Sequence, residues 1–182
     1  PVTTTLPGRA VAYQETAIRP QVGGEIVQIA YQPGRQVKAG TVLFRLDADQ
    51  LSATLSAAEA AVTSAEAAVE GASATVARYD RLSGTGVSRA ELESAQVALA
   101  NARAALSRAE AERELAQLAV DRTAIRSPID GIADIARVSV GDLVTSNQAD
   151  PLTTVTQLDP IYVDVTESRA MVLRYRERRV QG

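Results

Sequence analysis

The sequence predicts an α+β chain in which a long antiparallel α-helical coiled-coil hairpin interrupts a β-sandwich. Three observations carry this. Composition changes style twice along the 182 residues. An apolar residue recurs at alternating steps of four and three through the middle, and the two flanks repeat one pattern of glycines.

Residues 1–47 are rich in Val, Ile, Thr, Gly and Pro and read as short strands joined by turns. Residues 48–121 hold no proline and are dominated by alanine. Stepping from Leu51 gives Leu55, Ala58, Val62, Ala65, Val69, Ala72, Val76 and Tyr79, an unbroken a/d seam. A second seam runs Leu92, Ala95, Leu99, Ala102, Leu106, Ala109, Arg113, Ala116 and Val120, broken only at Arg113. Between them lies the glycine turn Ser83-Gly84-Thr85-Gly86-Val87-Ser88. Ser88 followed by Glu91 has the spacing of a capping box and starts the second helix, and Asp47 with Gln50 is a weaker start for the first. Folded back on the turn, Val62 faces Ala109, Ala65 faces Leu106, Val69 faces Ala102, Ala72 faces Leu99 and Val76 faces Ala95. Large meets small at every level, so the helices can approach closely. A helix in a globular bundle needs a wider apolar stripe than this. Each arm is therefore a rod on the order of 50 Å long, packed on its mate alone.

Residues 122–168 return to the first style. Gly24 is followed ten residues later by Gly34 and then Val37; Gly131 is followed ten residues later by Gly141 and then Val144. Matched glycines indicate the same turns used twice. Two four-strand halves, each too small to bury a core alone, are expected to stack into one sandwich with the hairpin inserted between them. A short helix is expected over 167–179. The chain starts and stops abruptly, which suggests a piece of something longer.

Composition also excludes chemistries. With 19 basic against 22 acidic residues the net charge is −3, a poor balance for neutralising phosphates, so no nucleic-acid partner is expected. The Arg cluster at 169, 174, 176, 178 and 179 has only Tyr175 interleaved and reads as a helix face. His and Cys are absent, which removes imidazole- and thiolate-based catalysis and zinc sites. Aromatics are 3% of the chain, too few for a large apolar cofactor pocket. No catalytic residue, metal ligand or cofactor is expected. Glu110, Glu112 and Glu114 crowd the second helix, but on a two-helix rod they form solvated pairs such as Arg108–Glu112. Arg113 either lays its stem along Ala58 or marks a loosening of the coil. No run of about 18 apolar residues exists to span a membrane.

Split half-motifs of this kind resemble biotinyl/lipoyl domains. Carriers of that family place a modified lysine at the junction of the halves, which here is the insertion point. Lys38, the single lysine, lies inside the first half. A lipoyl-like sandwich interrupted by an α-hairpin resembles the periplasmic adaptors, or membrane fusion proteins. Leu6-Pro7-Gly8-Arg9, Ile18-Arg19-Pro20-Gln21-Val22-Gly23-Gly24, Arg126-Ser127-Pro128-Ile129-Asp130-Gly131 and Gln157-Leu158-Asp159-Pro160-Ile161-Tyr162-Val163-Asp164-Val165 are similar to the adaptors of resistance–nodulation–division efflux pumps. The resemblance implies a split lipoyl-like sandwich over 12–47 and 122–159, a hairpin over 48–121 with its tip at 83–88, and partial β-barrel segments over 1–11 and 160–182. Those barrel pieces are expected to be poorly ordered or covered by a second copy.

It further implies a non-catalytic periplasmic protein, attached to the inner membrane, that links a proton-driven inner-membrane transporter to an outer-membrane exit duct. Assembly as a homo-oligomer, trimer or hexamer, follows from the same resemblance. Adaptors of ABC-type exporters or of metal pumps are the alternative, with a lipoyl-like carrier behind them. In the family the tip docks through Arg, Leu and Ser, which match Arg78, Leu82 and Ser88, with Thr85 and Gly86 between. Ser88 falls six residues after Leu82, one fewer than the family spacing. The local alternative is that Arg78 pairs with Asp80 or Glu91, Leu82 closes the seam and Ser88 only caps. Gly84 and Gly86 are expected to reject valine on backbone grounds.

Overall fold

The computed structural model describes residues 8–82 and 86–165. The tail helix expected over 167–179, the first seven residues and the turn residues 83–85 lie outside that range. The described chain runs β1 (Gly8–Ile18), β2 (Gly24–Ile29), β3 (Gln36–Val37), β4 (Val42–Leu46), α1 (Asp49–Leu82), α2 (Arg89–Asp121), β5 (Ala124–Arg126), β6 (Gly131–Ala133), β7 (Leu143–Val144) and β8 (Thr153–Val165).

The strands form two four-stranded sheets, ordered β1-β8-β6-β3 and β5-β4-β2-β7. Here the structure departs from two stacked halves, because each sheet takes two strands from either side of the hairpin. Swapping the halves turns one sheet order into the other, so the repeat is a pseudo-twofold. The crossing is made where the glycines recur. Gly34 and Gly141 both have left-handed backbones, φ 76° and 96°. Gly34 N donates to Ala133 O and Gly141 N to Ile26 O, both at 2.8 Å, and these are matching atoms of opposite halves. The next turn repeats too, with Gly40 at φ 83° and Asn147 at φ 53°. Asparagine tolerates that region where most side chains do not.

Alternation along the strands places one core between the sheets. Ile18, Ile26, Leu43, Phe44, Leu46, Ile125, Val144, Leu152 and Val155 are buried there, with Val37 and Ala133. The Tyr31 ring meets Phe44 edge-on at 5.5 Å. Sandwich and hairpin join where Leu46 N donates to Thr123 O at 2.9 Å and β4 pairs with β5. The hairpin thus grows from the turn position of an ordinary antiparallel strand pair.

β1 and β8 form one ladder from Gly8↔Val165 to Ile18↔Thr153, with a register shift between Ala12 and Gln14. Sequence reasoning placed domain limits at 11/12 and 159/160, and both fall inside these continuous strands. Pro160 is compatible with strand here because beyond Thr156 β8 has β1 as its partner and no ladder on the other side.

Candidate docking site at the hairpin tip

α1 and α2 pack on each other as an antiparallel pair, since both roots meet at the β4–β5 junction. Partial burial falls on every position of the first seam, and Ser73 and Thr75 join it. On α2 the seam residues Ala95 and Ala109 are buried at 8% exposure, and Arg113 is exposed. Arg113 lines a shallow cleft with Val62, Glu66 and Glu110; helical side chains lean toward their own N-terminus, which on α2 points to the tip. Arg108 Nε and Glu112 Oε1 pair at 2.9 Å as the spacing indicated.

The tip end of α2 is fixed by the expected capping box. The Glu91 N–H donates to Ser88 Oγ at 3.3 Å, and the Ser88 N–H donates to Glu91 Oε2 at 2.7 Å. The Ser88 hydroxyl also donates to Glu91 Oε2 at 2.8 Å. These bonds, the backbone one first, hold the Glu91 carboxyl below its usual value of 4.5. Glu91 therefore remains ionised at neutral pH and keeps the Ser88 backbone in place. That engagement is present above the ordinary carboxylate range and is lost as pH falls through the lowered value.

Across the turn, Arg78 and Leu82 stand four apart on one face of α1, Arg78 exposed and Leu82 45% exposed. Among the described residues no ion pair joins Arg78 to Glu91. Ser88 and Gly86 are exposed as well, and Thr85 lies outside the described residues. A Cβ built at Gly86 meets no described atom within 4 Å, so space alone does not exclude a larger residue there. The arrangement presents a cation, an aliphatic group and a hydroxyl at the end of a rod, suited to docking rather than to bond chemistry.

Lys38 sits in the turn between β3 and β4, where its carbonyl accepts from Thr41 N at 3.0 Å. The β4–β5 junction holds the helices instead. Among the described residues no cluster of acidic side chains could hold a metal ion, and no helix is long and apolar enough to cross a membrane. Sequence reasoning missed a broad groove of about 800 Å³ where α2 meets the sandwich, with Leu118, Arg19, Arg122 and Arg126 on its walls. It also missed an apolar cluster at β7. Comparing the two repeats position by position would have found the latter.

A family model described as "RND MFP, barrel-sandwich hybrid domain" matches residues 14–156. The chain is 39% identical over 182 residues to the multidrug efflux pump subunit AcrA of Escherichia coli (strain K12), covering 100% of this chain and 46% of that protein. It is 40% identical over 167 residues to the solvent efflux pump periplasmic linker SrpA of Pseudomonas putida, covering 91% of this chain and 40% of that one. The chain spans about half the length of the curated relatives it matches. Among solved structures, a MacA–MexA chimeric protein containing the Pseudomonas aeruginosa MexA α-hairpin domain superposes with TM-score 0.63 at 27% identity, covering 91% of this chain and 56% of that one. ZneB from Cupriavidus metallidurans superposes with TM-score 0.58 at 26% identity, over 88% of this chain and 68% of its own.

Proposed function

The chain belongs to the RND membrane fusion proteins, a family of adaptors and not of enzymes, and we propose that it links an inner-membrane, proton-driven efflux transporter to an outer-membrane exit duct. In this reading the residues flanking the hairpin form a lipoyl-like sandwich that anchors the rod, and the ends of β1 and β8 begin a β-barrel. The protein works in the periplasm, held to the inner membrane. The observation that supports the reading most is the exposed Arg78–Leu82 face at the end of a two-helix rod whose only extensive packing, among the described residues, is internal. The name of the similar SrpA, a periplasmic linker, agrees with it.

Arg78, Leu82 and Ser88, with Thr85 and Gly86 between, dock tip-to-tip with the duct, and Ser88 does so while capping α2. A two-helix rod has little lateral strength, so several copies stand side by side as a tube, in a trimer or hexamer. Exchange of lysine-bound groups is not part of this function, since Lys38 lies away from the β4–β5 junction.

The test is export in cells that depend on this protein, paired with circular dichroism of the purified variants. Arg78→Asp and Leu82→Ser abolish export while helicity is unchanged. Arg78 is exposed and Leu82 is 45% exposed, so both changes should leave the helix pair folded. Loss of helicity in both variants, or full export by both, would sink the docking role.

A further inference from the structure

The internal repeat gives each surface position of one half a counterpart in the other. Ile18-Arg19 matches Ile125-Arg126, Gly24 matches Gly131, Gly34 matches Gly141 and Val37 matches Val144. Both copies solve one packing problem, so exposed residues that differ between them are not demanded by the fold.

At the β7 edge Val27, Val140 and Leu143 are 49%, 60% and 79% exposed. Their counterparts at the β3 edge are Asp134, Pro33 and Gln36, also exposed and none of them a large aliphatic. Leu143 stands opposite Glu25 in the β2–β7 ladder, and Val27 lies diagonal to it with Gly141 between. Two positions reverse the pattern, Glu25 matched by Ile132 at 37% exposure and Gln28 matched by Ile135 at 69%. The β7 edge is thus an aliphatic patch rimmed by the carboxylates of Glu25 and Asp142.

The same sheet ends on its other side at β5. There the groove of about 800 Å³ opens between the ends of β1 and β5. Leu118, 42% exposed, is its apolar wall. Arg19, Arg122 and Arg126 outnumber Asp121 on its rim. Two of these cations are held in position, Arg126 Nη1 donating to Gly40 O at 2.9 Å and Arg19 Nη2 to Ala149 O at 3.2 Å.

We propose that the β7 patch of one copy docks against the β5 groove of a second copy. Apolar meets apolar inside a rim where carboxylates meet guanidiniums. Because patch and groove occupy opposite edges of one sheet, the contact is heterologous and repeats from copy to copy, closing into a ring where the rotation permits. The inference rests on the side-by-side reading above and assigns the surfaces that would mediate it.

The 182 residues hold no cysteine, so single cysteines report contacts directly. Leu143→Cys and Leu118→Cys proteins are mixed and oxidised. Mixed disulfide dimers should form several-fold above either variant alone, and a protein with both changes should give a ladder of oligomers. Arg122→Glu on the Leu118→Cys partner should lower the yield several-fold. Gln36→Cys, the counterpart position at the β3 edge, should give background with Leu118→Cys. Equal yields from Gln36→Cys and Leu143→Cys overturn the assignment. So does an absence of mixed dimers in preparations that sediment as oligomers, and that result leaves the side-by-side reading standing. Sedimentation as a monomer at every concentration, with and without an exit-duct tip fragment, removes both.

Discussion

Gly131 shows how much one absent side chain decides. A Cβ built there would lie 2.5 Å from Thr156 O, inside any allowed contact, because β6 runs hard against β8 at that point. Its counterpart Gly24 has more room, with Leu46 Cβ as the nearest atom at 3.4 Å. Gly131→Ala should therefore cost on the order of 2–3 kcal/mol, as overpacking does, while Gly24→Ala stays near neutral. Urea unfolding of the two variants checks this, and equal costs would contradict it. Residues whose partners are close in sequence were readable in advance. The Ser88–Glu91 box and the Arg108–Glu112 pair follow from helical spacing alone. Residues whose partners are distant were not. The Tyr31 hydroxyl donates to Asp134 O at 2.9 Å, and the buried Thr153 hydroxyl donates to that same carbonyl at 2.9 Å. Nothing in the spacing of those three positions announces the knot they form.

The helices are the elements most legible in the sequence, because a seam with one regular period fixes their facing as well as their existence. Alanine at alternate levels sets how closely they approach. Ala109, buried on the α2 seam, is the place to test it. Ala109→Leu should push the helices apart and cost about 1–3 kcal/mol, seen as a lower melting temperature of the helical signal. Ala104→Leu, at an exposed position, should leave it unchanged. The strands were legible as a class and not one by one. β3 and β7 have two residues each, too short for any alternation to register. β1 and β8 run on through the limits placed at 11/12 and 159/160, and the ladder tolerates Pro160 where β8 has one neighbour. At the tip the residue types matched a docking pattern. The patch and groove on the sandwich emerged only once the topology showed which positions correspond.

For the whole molecule, the interleaved sheets carry the largest consequence. The repeat was visible in the glycines, but which sheet each strand joins depends on contacts across more than a hundred residues. Since β4 and β5 are paired neighbours, the sandwich should survive without the rod. Replacing 48–121 by a short glycine-containing turn should leave a β-type circular dichroism spectrum and a single cooperative urea transition. A non-cooperative transition would mean that the helices are part of the sandwich core. The same junction bears on the order of assembly. Neither set of flanking strands can complete a sheet until the other arrives, and a long stretch of chain separates them. Zipping a hairpin involves neighbours in sequence and is fast, whereas joining remote strands must first overcome the entropy of a large loop. By bringing residues 47 and 122 together at its root, the spike shortens the search for its own foundation, so a helix-breaking change in mid-arm would delay the sheets even though it touches none of them.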